Sequence, residues 1–260
     1  METSEITAIV DELVAAGTSR VPVKRLTARY PGMSVEDAYR VQNAWRERCE
    51  AAGRQLAGRK IGLTSRAMQA ATGITEPDYG IIFEDMILEN GATIEWEKFT
   101  HPRVEVELAF KLGKDISGPG ATIFDVLDAT DYVIPALEIL DSRIEMEGRT
   151  IVDTISDNAA NGGLVLGDGR FDPATTDLRW MGCILKRDDI VEETGLGAGV
   201  LDDPITGIIW LARRIAQYGG KLSAGDIVLS GSFIRPVEAP SGTRFVADYG
   251  AFGEVRCDFL

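Results

Sequence analysis

Strict alternation of apolar and polar side chains singles out one stretch of this chain. Between Pro102 and Phe110, Val104, Val106, Leu108 and Phe110 alternate with Glu105, Glu107 and Ala109, the period of a half-buried strand. One face is apolar, and both carboxylates leave from the other face, one pleat apart. A second run, Tyr132 to Leu140, is apolar except for Glu138. A buried carboxylate costs several kcal/mol, as an order of magnitude, unless something pairs with it. Three carboxylates brought together without a counter-charge repel one another or take up protons. A hard divalent cation resolves that conflict, because Mg²⁺ and Mn²⁺ prefer oxygen ligands and leave positions open for water or substrate. Glu105, Glu107 and Glu138 are therefore the candidate ligands of one such ion.

Helical periodicity governs the start of the chain. Residues 4 to 16 place Ile6, Ile9, Val10, Leu13 and Val14 on one stripe ended by Gly17. A second helix is predicted from Ser34, which forms a capping box with Asp37, to Glu50, with Val35, Ala38, Val41, Trp45 and Cys49 on its apolar side. Arg20 to Pro31 reads as a loop. Residues 1–57 thus form an N-terminal helical region, and residues 58–260 a mixed-β catalytic domain. Within the latter, Gly58 to Ser65 is rich in glycine and hydroxyls. Ser65 caps a short helix through Ala71 that Gly73 closes, and Glu76 to Gly80 reads as a turn. Thr122 starts a helix through Ala129. Asp203 and Pro204 start another that stops at Gly219-Gly220. Strands are expected near 164–167, 179–186, 190–193, 226–230, 243–248 and 252–259, and Asp153 to Gly163 reads as a capped turn. Interspersed strands with a few capped helices make an α+β fold, not a regular βαβ alternation.

Composition narrows the function. The 27 basic and 41 acidic residues give a net charge of −14 with no Lys/Arg-rich run, which argues against nucleic acid or an anionic membrane as partner. No apolar run is long enough to span a bilayer, and the acidic, helical N-terminus is no signal peptide. Cys49, Cys183 and Cys257 are odd in number and widely spaced, so neither a disulfide framework nor a zinc cluster is expected and the chain reads as cytoplasmic. Gly195-Leu196-Gly197-Ala198-Gly199 lacks the dinucleotide spacing, and Asp202-Asp203-Pro204 intervenes before the next helix.

His101 is the single histidine, and without a GxSxG elbow it reads as a loop residue near the site instead of a nucleophile's base. Lys60 sits among small and apolar neighbours, either snorkelling or aimed at an oxyanion. Metal-assisted chemistry on an oxygen-rich small molecule fits this set. A 2-oxo acid chelates an ion through its carboxylate and keto oxygens, and the ion stabilises the enolate.

The segments GRKIGLTSRAM (58–68), EPDYG (76–80), PRVEVELAF (102–110), DYVIPALEILD (131–141), DTISDNAAN (153–161) and the ending 231–260 together resemble the hydratase branch of the fumarylacetoacetate hydrolase superfamily, over nearly the whole chain and in order. The resemblance implies a mixed β-sandwich roll with N-terminal helices and a homo-oligomer, in possible association with pathway enzymes. It also implies Mg²⁺ or Mn²⁺ on Glu105, Glu107 and Glu138. It puts the family's lysine on Lys60 and the general acid/base on Asp78. The implied reaction adds water to a 2-hydroxy-2,4-dienoate from aromatic breakdown, a seven-carbon dioate in the first place. Backbone amides at Leu63 and Thr64 and the Ser156 hydroxyl would hold the C1 carboxylate. Arg66 and Arg103 are candidates for a second carboxylate, and the sequence does not choose between them. Two other reactions of the superfamily stay open, decarboxylation of a 4-oxalocrotonate-type acid and acylpyruvate hydrolysis. His101 before Pro102 resembles the decarboxylases, whereas Asp78 favours the hydratases. The hydrolases' His–Glu pair has no counterpart here.

Overall fold

The computed structural model describes residues 1–66, 69–70 and 74–260, and the helix predicted from Ser65 to Ala71, with its Gly73 stop, falls partly outside them. Two long helices come first, α1 (Thr3–Ser19) and α3 (Val35–Ala51), with one helical turn, α2 (Leu26–Arg29), between them. α1 buries Ile6, Ile9, Val10 and Leu13 of the predicted stripe. It continues past Gly17 because Arg20, in the left-handed conformation (φ 59°), closes it with an amide bond to the Ala16 carbonyl. α3 opens on the predicted capping box, with the Ser34 hydroxyl accepting from the Asp37 amide and the Asp37 carboxylate from the Ser34 amide. α2 is a single turn inside the stretch expected as a loop over Arg20 to Pro31, whose other residues are non-helical. Leu26 is fully buried, and Asp153 accepts from the amide and hydroxyl of Thr27.

The larger sheet is built from β1 (Leu56–Gly62), β2 (Asp78–Phe83), β3 (Ile87–Glu89), β5 (Arg103–Leu112), β6 (Thr130–Leu140), β7 (Asn161–Leu166) and β10 (Ile227–Leu229), in the order β2-β1-β10-β5-β6-β7-β3. A two-residue strand, β11 (Val237–Glu238), also pairs with β5. The Gly58–Ser65 segment, for which composition predicts no element, is strand through Gly62, and one expectation is corrected here: the turn over Glu76 to Gly80 gives way to strand from Asp78 onward. The reason is tertiary: Gly62 pairs with Asp78 and Lys60 with Gly80 in an antiparallel ladder. Such pairing overrides the turn preference of Gly, Asp and Pro.

A smaller sheet, in the order β4-β13-β12-β8-β9, comprises β4 (Ala92–Ile94), β8 (Gly182–Arg187), β9 (Ile190–Leu196), β12 (Thr243–Asp248) and β13 (Glu254–Phe259). Its alternate residues Phe245, Ala247, Val255, Cys257 and Phe259 are buried in the same core as Val104, Val106, Leu108 and Phe110 of β5 and the inner stripes of α1 and α3. α4 (Ile123–Ala129), capped by Thr122, leads into β6. α6 (Pro204–Ala216) starts on the Asp203 cap with proline at its first position, as predicted, and buries Ile205, Ile208, Leu211 and Ile215.

The other face of β5 and β6 is also covered. Ala109, Ile134, Ala136, Leu164, Ile227 and Leu229 form a second apolar cluster, on the face that carries Glu105, Glu107 and Glu138. β5 lies between β10 and β6, and on this covered face Glu107 and Glu138 are fully buried.

The segment predicted as a turn over Asp153 to Gly163 is instead α5 (Ile151–Ser156) followed by a kink. Asn158, Ala159 and Ala160 are all left-handed, with φ of 53°, 51° and 57°, a conformation that costs non-glycine residues about 1–2 kcal/mol each. Side chains hold it in place. Asn158 accepts from the Ile81 amide at 2.7 Å and donates to the Ile81 carbonyl at 2.9 Å, and Asn161 donates to that carbonyl at 3.0 Å. Asn158 thereby satisfies β2, which ends the sheet, as a neighbouring strand would.

Candidate active site

Register brings the acids together. Glu105 on β5 stands directly opposite Glu138 on β6, and opposite residues share a face with β-carbons about 5 Å apart. Glu107 is one pleat further along. Each of the three offers an oxygen within 4.8 Å of the others. Glu107 and Glu138 are fully buried, and Glu105 is half-buried at the cavity wall. The structure thus unites three acids that the sequence places on two separate strands.

Lys60 and Asp78 complete the group. Lys60 Nζ lies 3.2 Å from Glu138 Oε1, an ion pair whose angle falls outside hydrogen-bond geometry, since neither Glu138 oxygen has a hydrogen-bond partner. Asp78 faces Gly62 across the β1–β2 ladder. A Cβ at Gly62 would sit 2.3 Å from Asp78 Oδ1 and 3.4 Å from Lys60 Nζ, so glycine there is what admits both side chains. At Gly231 the backbone is again the functional part. Its φ of 113° and its contact with Thr64 exclude a side chain, and its amide donates to Glu107 Oε2 at 2.9 Å. Behind the acids, the buried Tyr249 hydroxyl reaches the carbonyls of Glu107 and Ala136, at 2.7 and 2.8 Å, and ties β5 to β6.

The electrostatics are those of an unfinished charge cluster. Burial raises the carboxyls of Glu107 and Glu138 above the ordinary range, for Glu107 well above it, and the neighbouring Glu138 and Glu105 charges push Glu107 further. Glu105 is pushed up to about 8, by burial first and by Glu138 second. Burial likewise raises Asp78, against the opposing pull of Lys60 and Arg149. Burial alone would lower Lys60, but Glu138, Asp78, Glu105 and Glu107 hold it above the usual lysine value, so it stays charged. Glu107 Oε1 and both oxygens of Glu138 and Asp78 are buried without a hydrogen bond, which native proteins rarely tolerate. Three oxygen donors, short of hydrogen bonds and in excess of positive charge, fit a hard divalent cation.

A pH dependence follows. In the ion-free protein the triad's folded-state pKa values lie above the unfolded ones, so the folded chain binds more protons. Stability is then full below about pH 4.5, the ordinary glutamate value, and is lost as pH rises through about 8. Thermal melts in chelator are expected to show Tm falling from pH 5 to 8.5, and Mg²⁺ or Mn²⁺ restoring most at the alkaline end. A chelated protein that grows more stable across that interval would refute the charge cluster.

Glu105, Lys60 and Asp78 line a cavity of about 240 Å³ together with Leu63, Thr64, Met146, Arg149 and Arg103, while Glu107 and Glu138 are fully buried and reach it only through their contact with this group. Leu63, left-handed at φ 57°, turns the chain out of β1 so that Leu63 and Thr64 form one wall. Ser156 stays outside. Its hydroxyl donates back to the Val152 carbonyl at 2.8 Å, as helical serines do, and it does not line the cavity. His101 is exposed and also outside the lining, with its amide held by Asp141. Arg149 and the strained Ala159 and Ala160 are lining residues that sequence reasoning missed. Only the density of hydrogen-bonding residues after Asp153 hinted at the last two.

No family model matches the chain. It is 47% identical to 2-oxo-hept-4-ene-1,7-dioate hydratase of Escherichia coli, over 98% of this chain and 97% of the relative. It is 39% identical to 2-keto-4-pentenoate hydratase of Paraburkholderia xenovorans, over 95% and 92%. Among solved structures, 4-oxalocrotonate decarboxylase from Pseudomonas putida G7, in complex with magnesium and adipate, superposes with a TM-score of 0.97 at 30% identity, covering 100% of this chain and 99% of that one. The fold is that of the fumarylacetoacetate hydrolase class of enzymes and recurs in more distant solved hydrolases. Within that class, the chain belongs to the hydratase family of 2-oxo acid metabolism.

Proposed function

We propose that this enzyme adds water to a 2-hydroxy-2,4-dienoate, by way of its 2-oxo-3-enoate tautomer, to give a 4-hydroxy-2-oxo acid. The observation that carries the reading is a cluster of three metal-type carboxylates that meets a cavity at Glu105, beside a buried charged lysine and a buried aspartate in the same lining. Glu105, Glu107 and Glu138 would hold Mg²⁺ or Mn²⁺, which supplies a Lewis acid for the C1 carboxylate and the C2 oxygen. Lys60 Nζ, kept protonated by its carboxylate neighbours, donates to the C2 oxygen as charge gathers there. Asp78, whose protonated form burial favours, delivers its proton at C5 as the C2 hydroxyl passes its own to solvent water. In the second step the Asp78 carboxylate takes a proton from the water whose oxygen bonds to C4, and solvent water returns to C3 the proton released in the first step. Leu63 and Thr64 position the C1 end from the wall beside Lys60.

Mixing the protein and Mg²⁺ with 2-hydroxyhepta-2,4-dienedioate is expected to bleach the diene absorbance and yield a 4-hydroxy-2-oxo diacid, with no gas released. Release of CO₂ in step with the bleaching would establish the second reading, a decarboxylase. That reading is favoured by the close superposition on 4-oxalocrotonate decarboxylase and by His101 before Pro102.

We further propose a homo-oligomer in the cytoplasm. Ile190, Val191 and Leu196 on β9, with Trp180 nearby in sequence, are exposed apolar residues suited to a subunit contact. The three cysteines are free, as a reducing compartment allows. No helix among the described residues is long and apolar enough to cross a membrane.

A further inference from the structure

The cavity contains two guanidinium groups that form no ion pair among the described residues. The chain has 41 acidic residues for 27 basic ones, and arginines elsewhere take carboxylate partners readily, as Arg54 does with Asp85 and Arg143 with Asp157. Arg103 and Arg149 both line the cavity, and among the described residues no carboxylate lies within ion-pair distance of either. Arg149 is half-buried and donates from Nη1 to the neutral Ser142 hydroxyl at 2.7 Å. That hydroxyl is fixed in turn, 3.0 Å from Asp157 Oδ2 and 2.8 Å from the Ile144 carbonyl. Arg103 Nη2 has a methionine sulfur, Met146 Sδ, at 3.9 Å. The two guanidinium groups line the same cavity, where each disfavours the other's charge. Guanidinium groups do not lose their protons in proteins, so they cannot relieve the repulsion as the carboxylates do. An anion placed between them would relieve it, and the paired forks suit a carboxylate.

Their position defines which carboxylate. Arg103 precedes Glu105 by two residues on the same face of β5, about 7 Å away along the strand. A 2-oxo acid whose C1 and C2 oxygens meet the triad would bring the far end of a seven-carbon chain to these arginines, whereas a five-carbon chain stops short. We propose that Arg103 and Arg149 form a subsite for a second carboxylate, making the enzyme selective for 2-oxo diacids over monoacids. This proposal rests on the hydratase reading.

The test compares 2-hydroxyhepta-2,4-dienedioate with 2-hydroxypenta-2,4-dienoate in the wild type, Arg149→Gln and Arg103→Gln, all with Mg²⁺ and each checked for folding by thermal melt. The wild type is expected to favour the dioate. In Arg149→Gln the dioate-to-monoacid ratio of kcat/KM falls on the order of 100-fold, chiefly through KM of the dioate, and Arg149→Lys recovers part of it. Equal losses on both substrates would overturn the proposal, since they would place the arginines at the C1 carboxylate or in the scaffold. An unchanged ratio would overturn it as well. Should Arg149→Gln not fold, Arg103→Gln carries the same comparison. Calorimetry with adipate and hexanoate in the presence of Mg²⁺ needs no turnover, so it separates failure of the subsite from failure of the hydratase reading. Adipate is expected to bind at least tenfold more tightly to the wild type and to lose that margin in Arg149→Gln. Equal binding of the two acids to the wild type would refute the subsite.

Discussion

Replacing Glu107 with glutamine is expected to abolish turnover while leaving the ion-free protein folded and more stable than the wild type. The amide oxygen can still accept the Gly231 amide that holds Glu107 Oε2, so the side chain keeps its anchor. It loses the charge that burial and the neighbouring Glu138 and Glu105 penalise. Tm in chelator at pH 8 therefore rises. The same change removes an anionic ligand, and because loss of even an outer-shell partner costs about 10–100-fold in metal affinity or activity, kcat/KM is expected to fall by more than about 100-fold. The Tm increment on adding Mg²⁺ should shrink in parallel. A Glu107→Gln enzyme fully active in chelator-treated buffer would remove the metal from the mechanism.

Lys60→Met has the opposite sign on stability. Lys60 is the buried cation among Glu138, Asp78, Glu105 and Glu107, and removing one partner of a buried ion pair costs about 3–5 kcal/mol. That is a large part of the 5–15 kcal/mol, roughly, that holds a typical domain together. The loss should be greatest at pH 8 in chelator and smaller at pH 5, where the carboxylates hold protons. With the ammonium gone, a divalent ion no longer meets a competing positive charge, so Mg²⁺ should raise Tm by more than in the wild type. Turnover should stay lost, since no group remains to donate to the C2 oxygen. Denaturant melts at the two pH values, with and without Mg²⁺, test all of this. A variant as stable as the wild type in chelator at pH 8 would show that Lys60 does not neutralise the cluster.

Much of the fold was legible where local chemistry and tertiary need agree. The Ser34, Thr122 and Asp203 caps all lie where helices begin. The alternation at Val104 to Phe110 marks β5, and the β12 and β13 strands fall inside their predicted ranges. It failed where a neighbour supplies what the local sequence does not advertise. Asp78 to Gly80 has turn composition, yet β1 offers it a ladder. The left-handed run at Asn158 to Ala160 exists because two asparagine side chains bond to Ile81, distant in sequence. Ser156 looked available as a ligand, but a helical hydroxyl finds its own backbone first.

The sequence by itself determined that Glu105 and Glu107 share one strand face and that Glu138 sits in an apolar run, because side-chain alternation and residue polarity are local properties. Only the tertiary structure decided that Glu138 stands opposite Glu105, that Lys60 and Asp78 join them through Gly62, and that Arg103 and Arg149 meet in one cavity. Those meetings depend on strand order and register, which follow from the burial of the whole core and not from any one segment.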